Sequence, residues 1–400
     1  MFKVFYRAAV AALLSHVAVA HAAGGSTEAA FNPAFSLILS GTYSNLQRDS
    51  AIPATGFAMN PNPGHEQGFN LGESEMGISA SIDPEFRGVA TLALSAAGGI
   101  SVENAFVQTT SLGDGLNLKF GRFFSGLGYL NEQHAHAWDF VDQPLVYATF
   151  SSNQLGEDGV QLKWLAPTEM FVEIGGELGK GRGFPGSDTA KNGSGAGVLF
   201  AHVGDDIGVD HSWRAGVSLH QTRREKAPSD NVPNLPGGST SNSFSGDSQT
   251  VGADVVWKYS PNGNISERYL KVQGEYFRRR ESGVLTYDTA ATNVADTYAV
   301  SQSGWYVQSV YQFMPRWRIG ARYDQLDPGV AQVGAANAAN VIGDYGYQPK
   351  RGTMMLDYSP SEFSRVRVQL AHDASRQALP DNQFFVQYIM SLGAHGAHQY

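Results

Sequence analysis

Apolar and polar residues alternate one for one through segment after segment of this chain. In Met170-Phe171-Val172-Glu173-Ile174-Gly175-Gly176-Glu177-Leu178 the apolar side chains recur at even positions, and Glu173 and Glu177 fall at odd ones. In Trp317-Arg318-Ile319-Gly320-Ala321-Arg322-Tyr323-Asp324 the odd positions are apolar and the even ones carry the charges. Arg365 to Leu370 splits the same way. Successive side chains of a strand point to opposite faces, so each segment has one greasy face and one wet face. The pattern predicts about sixteen strands: near 35–46, 68–82, 85–96, 101–111, 116–124, 156–165, 168–178, 194–204, 208–221, 245–259, 266–281, 301–314, 316–327, 350–359, 363–373 and 382–393. The strand near Ser101 to Thr109 has ambiguous phase, and the face taken by Glu103 stays open.

A soluble sandwich alternates too, with its apolar face inward. The connections separate the two cases. Turn formers mark short links at Asp83-Pro84, Gly113-Asp114-Gly115, Ala166-Pro167, Gly204-Asp205-Asp206, Pro261-Asn262-Gly263, Met314-Pro315 and Pro360-Ser361. The links between them are mostly long and polar, as at Arg223–Ser243 and Pro328–Tyr347. Short periplasmic turns and long external loops are the pattern of an outer-membrane barrel. The predicted fold is therefore all-β: a transmembrane antiparallel β-barrel of about 16 strands (14–18), with both ends on the periplasmic side.

The N-terminus fits that destination. Lys3 and Arg7 precede an apolar stretch from Ala8 to Ala20, and Ala20-His21-Ala22 has a small-x-small cleavage pattern. A signal peptide is expected over 1–22, with a single barrel domain over 23–400. No later run of about 18 apolar residues occurs, which excludes a helical membrane protein. The 46 Gly, 17 Tyr and 22 Phe suit turns and two interfacial aromatic girdles. With no cysteine there is neither a disulfide framework nor a thiolate metal site. A formal net charge of −9 argues against a nucleic-acid partner. The expected partners are outer-membrane lipid, small polar solutes and the barrel-assembly machinery, which often reads a terminal aromatic such as Tyr400. A plugged receptor needs about 22 strands and a plug, more than this length holds.

One connection stands out as a candidate site. Residues 126–155 are too many for a hairpin and carry Tyr129, Trp138, Phe140, Tyr147 and Phe150. Such a loop either folds into the lumen and narrows it or packs over the rim. His134 and His136 share one face of an extended segment, with Glu132, Asp139 and Asp142 nearby. They are either solvated histidines or ligands of a weak zinc site. The residues expected to line the pore or its constriction are Lys119, Arg122, Glu132, His134, His136, Asp139, Asp142, Lys163, Glu173, Glu177, Lys271, Arg318, Arg322, Arg365 and Arg367. Charges on the lipid face cost roughly 2–4 kcal/mol at midplane for Arg or Lys, so the lumen is their natural place. There they either pair with one another or set up a transverse field.

The stretch Leu116-Asn117-Leu118-Lys119-Phe120-Gly121-Arg122-Phe123-Phe124-Ser125-Gly126-Leu127-Gly128 resembles the strand-to-loop segment of the phosphate-selective porin O and P family. Gly159-Val160-Gln161-Leu162 is similar to its return strand. The segment Tyr129 to Phe140 resembles a group of porin-like barrels labelled zinc-regulated receptors. The first resemblance implies a porin, and a homotrimer; the second implies a metal-linked role. The constriction loop lacks the dense Lys/Arg cluster of the phosphate-selective pattern, so the resemblance carries no substrate with it. No catalytic residues are expected. Gly181 to Gly186 spells a dinucleotide fingerprint, but Pro185 interrupts it and no helix is expected to follow. The leading expectation is passive passage of small polar or charged solutes. The alternatives are a zinc-linked uptake or binding barrel and, third, a barrel hydrolase whose site escapes linear motifs.

Overall fold

The computed structural model describes residues 33–48, 53–57, 65–95, 98–187, 192–228 and 240–393. The expected signal peptide, His395, His398 and Tyr400 lie outside the described residues.

The strands follow in chain order. The first nine are β1 (Ala34–Asn45), β2 (Gly68–Asn70), β3 (Ser74–Ser81), β4 (Phe86–Leu94), β5 (Ile100–Thr109), β6 (Leu116–Phe124), β7 (Gly156–Leu165), β8 (Phe171–Gly179) and β9 (Ala196–Ile207). Then come β10 (His211–Pro228), β11 (Ser243–Tyr259), β12 (Tyr269–Tyr287), β13 (Val294–Met314) and β14 (Trp317–Asp327). The last are β15 (Gln332–Val333), β16 (Lys350–Ser361), β17 (Ser364–Ala374) and β18 (Asp381–Gly393). Neighbours pair antiparallel in one sheet, and β1 closes it by pairing β18 on one side and β3 on the other. Of the 18 strands, β2 and β15 are short edge segments, which leaves 16 in the closed barrel.

The alternation sets the faces. On β8, Glu173 is 5% and Glu177 4% exposed, while Ile174 is 49% and Leu178 64% exposed. Exposed Leu199, Val217, Met354 and Leu370 continue the outer apolar surface around the barrel. A contiguous apolar belt of this kind requires lipid around it. Strands of 19 residues (β12) and 21 residues (β13) exceed the 9–11 or so that a bilayer needs, so this hairpin projects beyond it.

Two turns differ from expectation. Gly204 to Asp206 stay in β9, paired with β10, and the chain reverses at Gly208, whose φ is +69°. Pro360 and Ser361 likewise end β16 instead of forming the turn. In both places the ladder continues, and its hydrogen bonds outweigh local turn propensity. The phase of β5 is also settled. A bulge between Thr91–Asn104 and Leu92–Val102 leaves Glu103 as the extra residue.

An apolar core sits inside the barrel. Leu127, Leu130, Leu145, Val146, Tyr147 and Phe150 of the long connection pack on Val198 and Phe200 of β9, Phe277 of β12, Tyr306 of β13 and Leu326 of β14. Six of the connection's residues form a short helix, α1 (Leu145–Phe150), every one of them buried. Burying each large side chain contributes about 1.5–3 kcal/mol.

Candidate functional site

The site is the connection 125–155 and the wall it meets. Its two ends are held together by Asn131, which is fully buried. The Asn131 amide donates to Ser125 O (2.8 Å) and Leu155 O (2.9 Å), and its Oδ1 accepts from Leu155 N–H (2.7 Å). At the root, Gly126 N–H donates to Glu177 of β8 (2.8 Å). Glu275 of β12 is a hub: its carboxylate accepts from Tyr129 N–H (2.9 Å), Leu130 N–H (3.2 Å), Tyr147 Oη (2.7 Å) and Tyr306 Oη (2.7 Å). Gly128 has φ +69°, and a Cβ there would collide with Glu275 and Tyr147, so only glycine fits.

Two carboxylates fix the middle of the connection to the opposite wall. Asp139 pairs with Lys271 of β12 and with Arg318 of β14 (3.3 Å), and accepts from Gln308 of β13 (3.1 Å). Asp142 pairs with Arg322 of β14 (3.0 Å) and Arg351 of β16 (2.6 Å), and accepts from Gln369 of β17 (2.9 Å). Backbone carbonyls join in: Arg367 donates to Trp138 O (2.8 Å) and Arg365 to His136 O (2.5 Å). Burial alone would raise both carboxyls. For Asp139 the charges of Lys271 and Arg318 outweigh it, and for Asp142 those of Arg322 and Arg351 do. Both are held well below the usual carboxylate range. A depressed folded-state pKa contributes stability that is complete above the unfolded value, near 3.9, and is lost as pH falls through the folded value. Conductance should therefore stay flat from pH 7 to about 4 and change only in stronger acid; a rise centred on pH 6 in bilayer recordings would contradict this anchoring.

The histidines meet the near wall. His134 Nδ1 lies 2.8 Å from Glu103 of β5 and 3.2 Å from Glu75 of β3, and His136 Nδ1 lies 2.9 Å from the second oxygen of Glu75. The two rings stack at 5.8 Å. His134 Nε2 is 2.9 Å from the Asn104 amide. Burial alone would lower the His134 pKa, but the hydrogen bonds and charges of Glu103 and Glu75 raise it to about 10. Glu75 and Glu103 are 59 and 31 residues from His134, counted from these numbers, so local spacing held no sign of the cluster.

Other expected residues also lie on the inner face. Lys163 of β7 reaches Glu132 (3.0 Å) and Glu173 (3.8 Å), and Glu173 also meets His202 of β9 (3.0 Å). Lys119 sits 4.9 Å from the centre of the Phe106 ring. Arg367 bridges to Asp357 (2.8 Å), which Arg318 also contacts (2.5 Å). Arg122 is a correction. It lies on the outward side of β6 with Leu118 and Phe120, bound to Asp158 of β7 (2.6 Å). Strand alternation turns it outward because Lys119 and buried Phe123 face in, and Asp158 neutralises it there. Arg351, paired with Asp142 and Asp324, carries as many contacts as any expected residue, but it was not among those expected to line the pore.

No family model matches the chain. It is 31% identical over 407 residues to an uncharacterized protein of Aquifex aeolicus (strain VF5), covering 94% of this chain and 81% of that one. Among solved structures it is similar to the trimer form of OmpT, an outer membrane protein of Vibrio cholerae: TM-score 0.54, 15% identity, 91% of this chain and 100% of that one. Pseudomonas putida OprB gives a TM-score of 0.53 at 14% identity, over 90% and 94% of the two chains. An anion-selective porin from Comamonas acidovorans gives 0.52 at 11%, over 90% of this chain and 99% of that one. At these identities the likeness is one of fold: a porin-type outer-membrane barrel.

Proposed function

The chain belongs to the family of the Aquifex aeolicus protein, and from its porin-type barrel we propose that it is an outer-membrane channel for passive passage of small polar or charged solutes. One observation carries this reading. On the inner face of β9–β12, the polar atoms His202 Nε2, Ser218 Oγ, His220 Nε2, Gln273 Oε1 and both carboxylate oxygens of Asp254 are buried without a hydrogen-bond partner among the described residues. Leaving one such group unsatisfied costs about 1–3 kcal/mol, and more for a charge. A wet path along this wall satisfies them, and the connection 125–155 then acts as the constriction loop beside it.

The loop brings carboxylates, Glu132, Asp139 and Asp142, and the wall cations nearest them are tied to those carboxylates. This arrangement supports a general polar pore more than phosphate selectivity. The proposed assembly is a homotrimer, the form in which one of the structural relatives was solved. Osmotic swelling of liposomes carrying the refolded protein tests the function. Swelling rates should fall with sugar size. Liposomes holding folded protein that fail to swell even in the smallest sugar would overturn it.

A further inference from the structure

We propose that Glu75, Glu103 and His134 bind one divalent transition-metal ion where the loop meets the wall, with His136 supporting Glu75 from behind. The ligand atoms of the first three all lie within 4.8 Å of one another. Zinc takes imidazole nitrogen and carboxylate oxygen at about 2.0–2.2 Å in a tetrahedron, whose edges are then roughly 3.3–3.6 Å. The separations of 2.8 and 3.2 Å from His134 Nδ1 to the two carboxylates need only a small expansion to reach such edges. Glu75 offers its other oxygen to His136 at 2.9 Å, which orients that carboxylate towards the site, and the fourth position is left to water. One imidazole and two carboxylates, with an open fourth position, form a donor set suited to zinc and similar ions.

The surroundings favour a site. The ligands come from three separate elements, and backbone structure fixes two of them. β3 holds Glu75, and the bulge in β5 turns Glu103 inward beside Asn104. Asn104, whose carbonyl accepts from Phe124 N–H (3.3 Å), sets its amide nitrogen 2.9 Å from the other ring nitrogen of His134 and so fixes the orientation of the ring. The His134 side chain is 22% exposed, so an ion has a way in. Without metal the same groups share protons as hydrogen bonds; on binding, those protons leave. Bound metal would pin the loop to the β3–β5 wall. This inference does not depend on the channel reading.

The test uses the untagged mature chain, refolded in detergent and checked by heat-modifiable gel mobility. Equilibrium dialysis against zinc should give one ion per chain, and cobalt should give intense visible bands of a four-coordinate site. Glu103→Gln and His134→Gln should each weaken binding by at least about 100-fold, since even outer-shell changes cost 10–100-fold. His372→Ala, at an exposed histidine, should leave it unchanged. Folded wild type that retains no ion, or variants that bind as tightly, would overturn the proposal. If the variants do not fold, X-ray absorption of the zinc-loaded wild type decides. A shell of imidazole nitrogen together with carboxylate oxygen is expected, and one of oxygen alone would contradict it.

Discussion

Replacing Asp139 and Asp142 together by Asn should raise single-channel conductance roughly two-fold or more, because the narrowest part of the water path widens. Each carboxylate sits between two cations on the far wall, Lys271 and Arg318 for Asp139, Arg322 and Arg351 for Asp142. Removing one partner of a buried pair leaves an uncompensated charge and costs about 3–5 kcal/mol. The apolar cluster around Val146 and Phe150 stays intact in this variant, so the end of the loop near α1 keeps its place. Release should be confined to the middle segment. Chymotrypsin then cuts at Trp138 and Phe140, which are buried in the parent protein. Unchanged conductance together with a protected Trp138 would mean that the pairs do not hold the loop.

Glu275→Ala should be the most destabilising single change at the loop root. Two backbone N–H groups and two tyrosine hydroxyls converge on this one carboxylate. Each buried donor left unsatisfied costs about 1–3 kcal/mol, so the sum is on the order of 5 kcal/mol after partial relaxation. The temperature at which the barrel loses its compact gel mobility should fall clearly. Glu275→Gln keeps one acceptor oxygen and should recover part of the loss. A midpoint equal to the parent's in Glu275→Ala would remove Glu275 from the anchoring network.

The barrel was legible because strand alternation is a local signal. Residues 170–178 alone fix which face Glu173 and Glu177 take, and the short turns order the hairpins. Where the signal failed, the cause was specific. The bulge at Glu103 breaks the period of two, which is why β5 had no readable phase. Arg122 was placed in the lumen on the argument that charges avoid lipid. That argument did not anticipate Asp158, whose partnership lets the strand's own parity prevail. Phe277 and Tyr306 sit on inner faces that otherwise carry polar residues, since the loop brings its own apolar side chains to cover them. The candidate site was half legible. His134, His136, Asp139 and Asp142 stand out by type and spacing, but their partners on β3, β5, β12, β14 and β16 become neighbours only when the barrel closes.

The most direct measurement is planar-bilayer recording of the wild type beside the Asp139→Asn/Asp142→Asn variant, both shown to be folded. A water-filled barrel narrowed by an anchored loop predicts discrete conductance steps in the wild type and larger steps in the variant. Folded protein that inserts but passes no current in either form would contradict the channel itself.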